Sequence, residues 1–74
     1  MYWELIKLRK EHKLSQEDMA EILGINPRTY SLKENGKSDF KYKELFIIAK
    51  LFNKTIDEIF LPNDTSNTDN LIEK

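Results

Sequence analysis

Seventy-four residues are enough for one small domain with a single hydrophobic core, not for separate catalytic and binding lobes. A hydrophobic share of 39% beside a charged share of 34% suits a globular chain rich in helix, and no apolar run nears the roughly 20 residues that a membrane span needs. With no cysteine, one histidine (His12), a net charge of −1 and no secretory-signal order at its start, the chain excludes disulfides and thiolate metal sites and reads as a cytoplasmic protein held by packing alone.

Five helices are expected. The first runs over about 2–12, with Leu5 and Leu8 inward, joined either by Ile6 or by Arg9 and His12, and with Lys7, Lys10 and Glu11 outward. Tyr2 and Trp3 are expected to cover one end of the core, and His12 to end the helix rather than serve as a ligand. Ser15 caps the second helix, 16–23: "SQED" sets Asp18 three residues after the cap, and Met19, Ala20 and Leu23 face inward. Gly24 supplies a left-handed stop. Asn26 then caps a third helix, 27–35, with Pro27 at the first helical position, where a missing N–H is harmless, and Asn35-Gly36 closes it.

Gly36–Lys41 reads as a loop. Beyond it "YKELFIIAKLF" repeats Tyr42, Leu45, Ile48, Ala49 and Phe52 at helical spacing, which predicts a largely buried fourth helix over 42–52, stopped by Asn53. Thr55 opens the fifth, 56–60, through the capping box "TIDE", with Ile56, Ile59 and Phe60 closing the core. Residues 1–61 thus form the expected domain. The polar stretch "PNDTSNTDNLIEK", 62–74, has no periodic apolar face and is expected to be a disordered tail, with Leu71 and Ile72 as its possible docking residues. There is no strand signal and no internal repeat.

The third helix has contradictory faces. Spacing of three and four puts Tyr30, Lys33 and Glu34 on one stripe and Arg28, Leu32 and Asn35 on the other. Tyr30 marks the inner side, which then carries a lysine and a glutamate while the solvent side carries a leucine. The charge is uneven as well. Residues 25–43 hold Arg28, Lys33, Lys37, Lys41 and Lys43 against Glu34 and Asp39, an excess of three positive charges, in a chain that is otherwise acidic. A net charge of −1 by itself argues weakly against a nucleic-acid partner, so the local excess carries the argument.

Two capped helices joined through a glycine within a small helical bundle are the signature of a helix-turn-helix domain. From Leu5 to Phe60, the chain resembles the phage-repressor, Cro-type (lambda repressor-like) helix-turn-helix family, on the strength of "LRKEHKLSQEDMAEILGI", "TYSLKENGK" and "IAKLFNKTIDEIF" in that order and spacing. The resemblance implies an all-α fold, a compact bundle of five short helices, and a DNA-binding transcriptional regulator of the small-repressor kind found in phages and mobile elements. It implies a usual homodimer, reading a near-palindromic double-stranded operator with the third helix.

In such a fold the outer stripe is chosen for base edges. Arg28 is suited to a bidentate pair with guanine, Leu32 to a thymine methyl, and Ser31 to a less discriminating contact. Gln16, at the first turn of the second helix, and Pro27, Asn35, Lys37, Ser38 and Lys41 around the third are the phosphate-side candidates. On the inner stripe Glu34 requires a cation, and Arg9 is the candidate; the resemblance implies a buried pair at these two positions. Lys33 departs from the family, which usually has an apolar residue there. Either its stem lies on the core with the ammonium reaching solvent, or the ammonium shares Glu34 or a phosphate.

Ile56, Ile59, Phe60, Leu61 and Phe46 are the candidate dimer surface. No catalytic residue, metal site or cofactor is expected, since there is no glycine-rich phosphate loop and no carboxylate pair in an apolar setting. The same fold used as a protein-interaction module, of antitoxin or antirepressor type, is the alternative, supported by the acidic balance.

Overall fold

The computed structural model describes residues 1–61; the expected tail, with Leu71 and Ile72, lies outside the described residues. Five helices follow one another: α1 (Trp3–Glu11), α2 (Gln16–Leu23), α3 (Pro27–Glu34), α4 (Tyr42–Phe52) and α5 (Ile56–Phe60), with no strand among the described residues. The order and type agree with the sequence reading, and the ends agree to within a residue.

Beyond α1, whose start has no side-chain cap, helix starts are set by local side chains. In α2 the Asp18 N–H donates to Ser15 Oγ at 2.9 Å while the Ser15 N–H donates to Asp18 Oδ2 at 2.8 Å. In α5 the Glu58 N–H donates to Thr55 Oγ1 at 3.0 Å and the Thr55 N–H to Glu58 Oε1 at 2.8 Å. Each box satisfies two otherwise orphaned donors. The backbone N–H groups of Ser15 and Thr55 hold the Asp18 and Glu58 carboxyls below their ordinary values.

The first four helices end on one device. The N–H groups of Leu14, Ile25, Lys37 and Lys54 donate to the carbonyls of Arg9, Ala20, Leu32 and Ala49, each bond spanning a left-handed residue: Lys13 (φ 58°), Gly24 (73°), Gly36 (82°) and Asn53 (57°). This is the Schellman stop, which favours glycine because a Cβ is strained at positive φ. At Gly36 space matters too, since an added Cβ would lie 3.1 Å from the Met1 nitrogen. Lys13 bears the strain with no sequence sign of it. Lys13→Gly is therefore expected to stabilise the fold by about 1 kcal/mol, which raises the thermal midpoint by roughly 4–8 °C. An unchanged midpoint in a calorimetric scan would show that Lys13 carries no strain.

The core is Leu5 and Leu8 from α1, Met19 and Ala20 from α2, Tyr30 from α3, Ile48, Ala49 and Phe52 from α4, and Ile59 from α5. On α1 the third inward residue is Arg9; Ile6 is half-buried, and the exposed His12 lays its ring on Phe52, centroids 4.9 Å apart, with Nδ1 2.9 Å from the Leu8 carbonyl oxygen. At one end Tyr2, Phe40 and Phe60 pack edge to face or tilted at 5.3–5.7 Å, and Phe40 also meets Tyr30 at 6.0 Å.

Three sequence expectations fail here. Trp3, expected to cover the core with Tyr2, is 71% exposed. Tyr42, assigned to the buried stripe of α4, is also exposed and meets Phe46 edge to face, while Glu44 is buried in its place. Ile48, Ala49 and Phe52 face inward as expected and Leu45 is half-buried; the difference lies in the first turn of α4, where Glu44 has a partner inside. Ile59, named among the dimer candidates, belongs to the core, whereas Phe46 and Leu61 are exposed.

Candidate nucleic-acid interface

The helix of mismatched faces is held at both ends. The Arg28 N–H donates to Asn26 Oδ1 at 2.8 Å, Pro27 occupies the first helical position, and the Schellman bond from Lys37 closes the far end. Its inner stripe is Tyr30, Lys33 and Glu34, all buried.

Glu34 is 2% exposed and is met by donors from three helices. Arg9 Nε of α1 donates to Oε2 at 2.8 Å and Nη2 to Oε1 at 3.5 Å; Gln16 Nε2 of α2 donates to Oε1 at 2.8 Å; and the Tyr30 hydroxyl donates to Oε2 at 2.9 Å. Arg9 Nη1 is in turn tied to the Leu14 carbonyl at 2.9 Å. Burial, reinforced by the adjoining Glu34 carboxylate, pushes the Tyr30 hydroxyl far above the usual phenol range, which keeps it a donor. A carboxylate with this many donors is fully satisfied, and no buried side-chain N or O among the described residues lacks a partner.

Lys33 follows neither of the two courses expected for it. Its ammonium does not reach solvent, nor does it share Glu34: Nζ lies 2.6 Å from Glu44 Oε1, with both residues 5% exposed. The reason is geometric, since α4 places Glu44 against the last turn of α3. Burial pushes the Glu44 carboxyl up, but hydrogen bonds from Lys33 and from the Lys41 N–H outweigh it and leave the group below its ordinary value.

The outer stripe is free of these ties. Arg28 and Pro27 are exposed, Leu32 is 40% exposed, and Ser31 and Asn35 are half-buried. Around them Lys37 and Lys41 are exposed and Ser38 is half-buried. The amide of Gln16, a phosphate-side candidate by sequence, is already engaged by Glu34 and retains one N–H. Because Lys33 and Glu34 are both buried against partners outside this segment, the exposed charges of 25–43 are Arg28, Lys37, Lys41 and Lys43 against Asp39, so the excess of three lies on the surface.

Sequence reasoning missed Glu44 and Phe40. An acid three residues into a helix was a usable sign for the first, and the lone aromatic in "GKSDFK" for the second.

A capped α2, a left-handed glycine at its end and a third helix with a locked inner face and a free outer one define a helix-turn-helix domain. A helix-turn-helix family model matches residues 5–59, and the chain belongs to this family, the Cro and phage-repressor type. A helix-turn-helix-type transcriptional regulator of Methanocaldococcus jannaschii is 43% identical over 56 residues, covering 76% of this chain and 85% of that protein. The regulator YqaE of Bacillus subtilis is 38% identical over 53 residues, covering 72% of this chain and 46% of its own length. The crystal structure of a transcriptional regulator from Listeria innocua superposes with a TM-score of 0.72 at 29% identity, covering 96% of this chain and 71% of that one. Among the described residues no helix is long and apolar enough to cross a membrane.

Proposed function

We propose that the protein is a sequence-specific, Cro-like DNA-binding repressor that inserts α3 into the major groove. The observation that carries this reading is the division of α3: every inward polar group is bound within the fold, while the side chains of Arg28 and Leu32 are exposed and make no hydrogen bond or ion pair among the described residues. Arg28 in the first turn pairs with a guanine edge, Leu32 meets a thymine methyl, and Ser31 adds a contact of low discrimination. Lys37, Ser38, Lys41, Asn35 and the exposed ring of Pro27 flank the phosphates on one side. The N-terminus of α2 and the remaining N–H of Gln16 flank them on the other.

Two copies bound about 34 Å apart read a near-palindrome, with the exposed Phe46 and Leu61 as candidate dimer contacts. The test is a gel shift on the DNA upstream of the protein's own gene, repeated across salt. Binding is expected to weaken steeply, with a slope of about −0.9 in log–log terms for each phosphate contact. A chain that retards no DNA, or binds it independently of salt, would favour the protein-interaction module instead.

A further inference from the structure

The geometry points to Lys33 and Glu44 as a strap that presets the loop of residues 36–41 for the DNA backbone. The pair touches no nucleotide itself and acts as a positioning element for the phosphate contacts. The inference rests on the DNA-binding reading above and names what holds one side of that site.

One oxygen makes the strap. Glu44 Oε1 accepts from Lys33 Nζ at 2.6 Å and from the backbone N–H of Lys41 at 2.8 Å. Lys33 lies on the last turn of α3, just before the loop, and Lys41 is the loop's last residue, so both ends of the loop are tied to one atom. Two further anchors act with it. The Lys37 N–H is fixed on the Leu32 carbonyl at 2.9 Å, and Phe40 is packed among Tyr2, Tyr30 and Phe60. Lys37 and Lys41, both exposed, are thereby carried on a backbone with little freedom.

Stability alone does not account for a buried lysine and glutamate here. A buried ion pair gains little over apolar residues of similar volume, because desolvation offsets the attraction. An apolar pair would pack α3 on α4 equally well, but it would leave the Lys41 N–H without its acceptor. What the charged pair adds is direction: the carboxylate is fixed by the ammonium and in turn fixes the loop. Lys33 cannot be a phosphate ligand in its own right, since its ammonium is enclosed and occupied.

The test uses the full chain carrying Lys33→Met with Glu44→Leu, which keeps the packing and removes the strap. The midpoint of unfolding is expected to stay close to that of the parent. Amide exchange is expected to quicken at Lys41 and along 37–41, and nowhere in α2. Affinity should fall roughly tenfold on the preferred site and on scrambled DNA alike, with the salt slope reduced by about 1 for each phosphate contact loosened. The ratio between the two DNAs should hold, because Arg28 and Leu32 are untouched.

If the double variant does not fold, Lys33→Met with Glu44→Gln serves, as it strands no buried charge and leaves the Lys41 N–H an acceptor while cutting its tie to α3; the same changes are expected at smaller size. Loop exchange, affinity and salt slope all equal to the parent's would overturn the proposal. So would a faster-exchanging loop with unaltered DNA binding. A parent chain that binds no DNA removes the reading on which the strap rests, a result seen before any variant is compared.

Discussion

Glu34→Ala is expected to destabilise the fold by about 3–5 kcal/mol, a large part of the 5–15 kcal/mol typical of a whole domain. The loss is not that of one contact. Removing the carboxylate leaves the Arg9 guanidinium buried without its counter-charge, and it takes the acceptor from the Tyr30 hydroxyl and the Gln16 amide as well. Adding Arg9→Met is expected to recover much of the loss, since the stranded charge disappears and a side chain of similar length fills its place. Recovery should be incomplete, because Tyr30 and Gln16 still lack their partner. Urea unfolding of the two single variants and the double one decides the matter: strictly additive losses would mean that Arg9 and Glu34 do not stabilise each other.

The opposite pattern is expected on the outer face of the same helix. Arg28→Ala should leave the thermal midpoint nearly unchanged, because the side chain is exposed and the cap of α3 is made by the Arg28 backbone N–H, which alanine retains. It should nevertheless cost about 1–3 kcal/mol of binding to the preferred site while sparing scrambled DNA, since a base-edge contact discriminates and a phosphate contact does not. Leu32→Ala should act in the same direction, more weakly, and on sites with thymine opposite it. Competition between the two DNAs at one salt concentration separates the roles. Equal losses on both would make Arg28 a phosphate contact, and no loss on either would remove it from the interface.

What was legible in the sequence is what local rules govern. Ser15 with Asp18, Thr55 with Glu58, and Asn26 with Pro27 and the Arg28 N–H are partners within three residues, so the letters themselves specify the bonds. Arg9 with Glu34, 25 residues apart, is beyond any such rule; it was accessible through the demand that a carboxylate beside Tyr30 have a cation, and through the family resemblance. Lys33 with Glu44 had neither help. Their spacing of eleven crosses a loop whose path no local pattern dictates, and an acid three residues into a helix looks the same whether it caps alone or also holds a lysine. The exposure of Tyr42 goes with that miss, because Glu44 takes the inward place in the first turn of α4 while Ile48, Ala49 and Phe52 keep theirs. The duty of Gln16 was half seen: its place at the start of α2 was evident, but its hold on Glu34 depends on how α2 crosses α3.

The way the helices begin and end also bears on how fast the chain reaches this structure. Four of them stop on a bond to a carbonyl five residues back, and α2 and α5 start on bonds spanning three, so most of the ordering is done by neighbours in the chain. Folds built on such short-range contacts belong to the class that forms in microseconds to milliseconds. The contacts that join α1 and its two flanking residues to the rest are of the other kind: Arg9 with Glu34, His12 with Phe52 and Tyr2 with Phe60 lie 25, 40 and 58 residues apart, and each closes a long loop. Seating the first helix, which closes the longest loops in the fold, is therefore the step expected to come last in assembly.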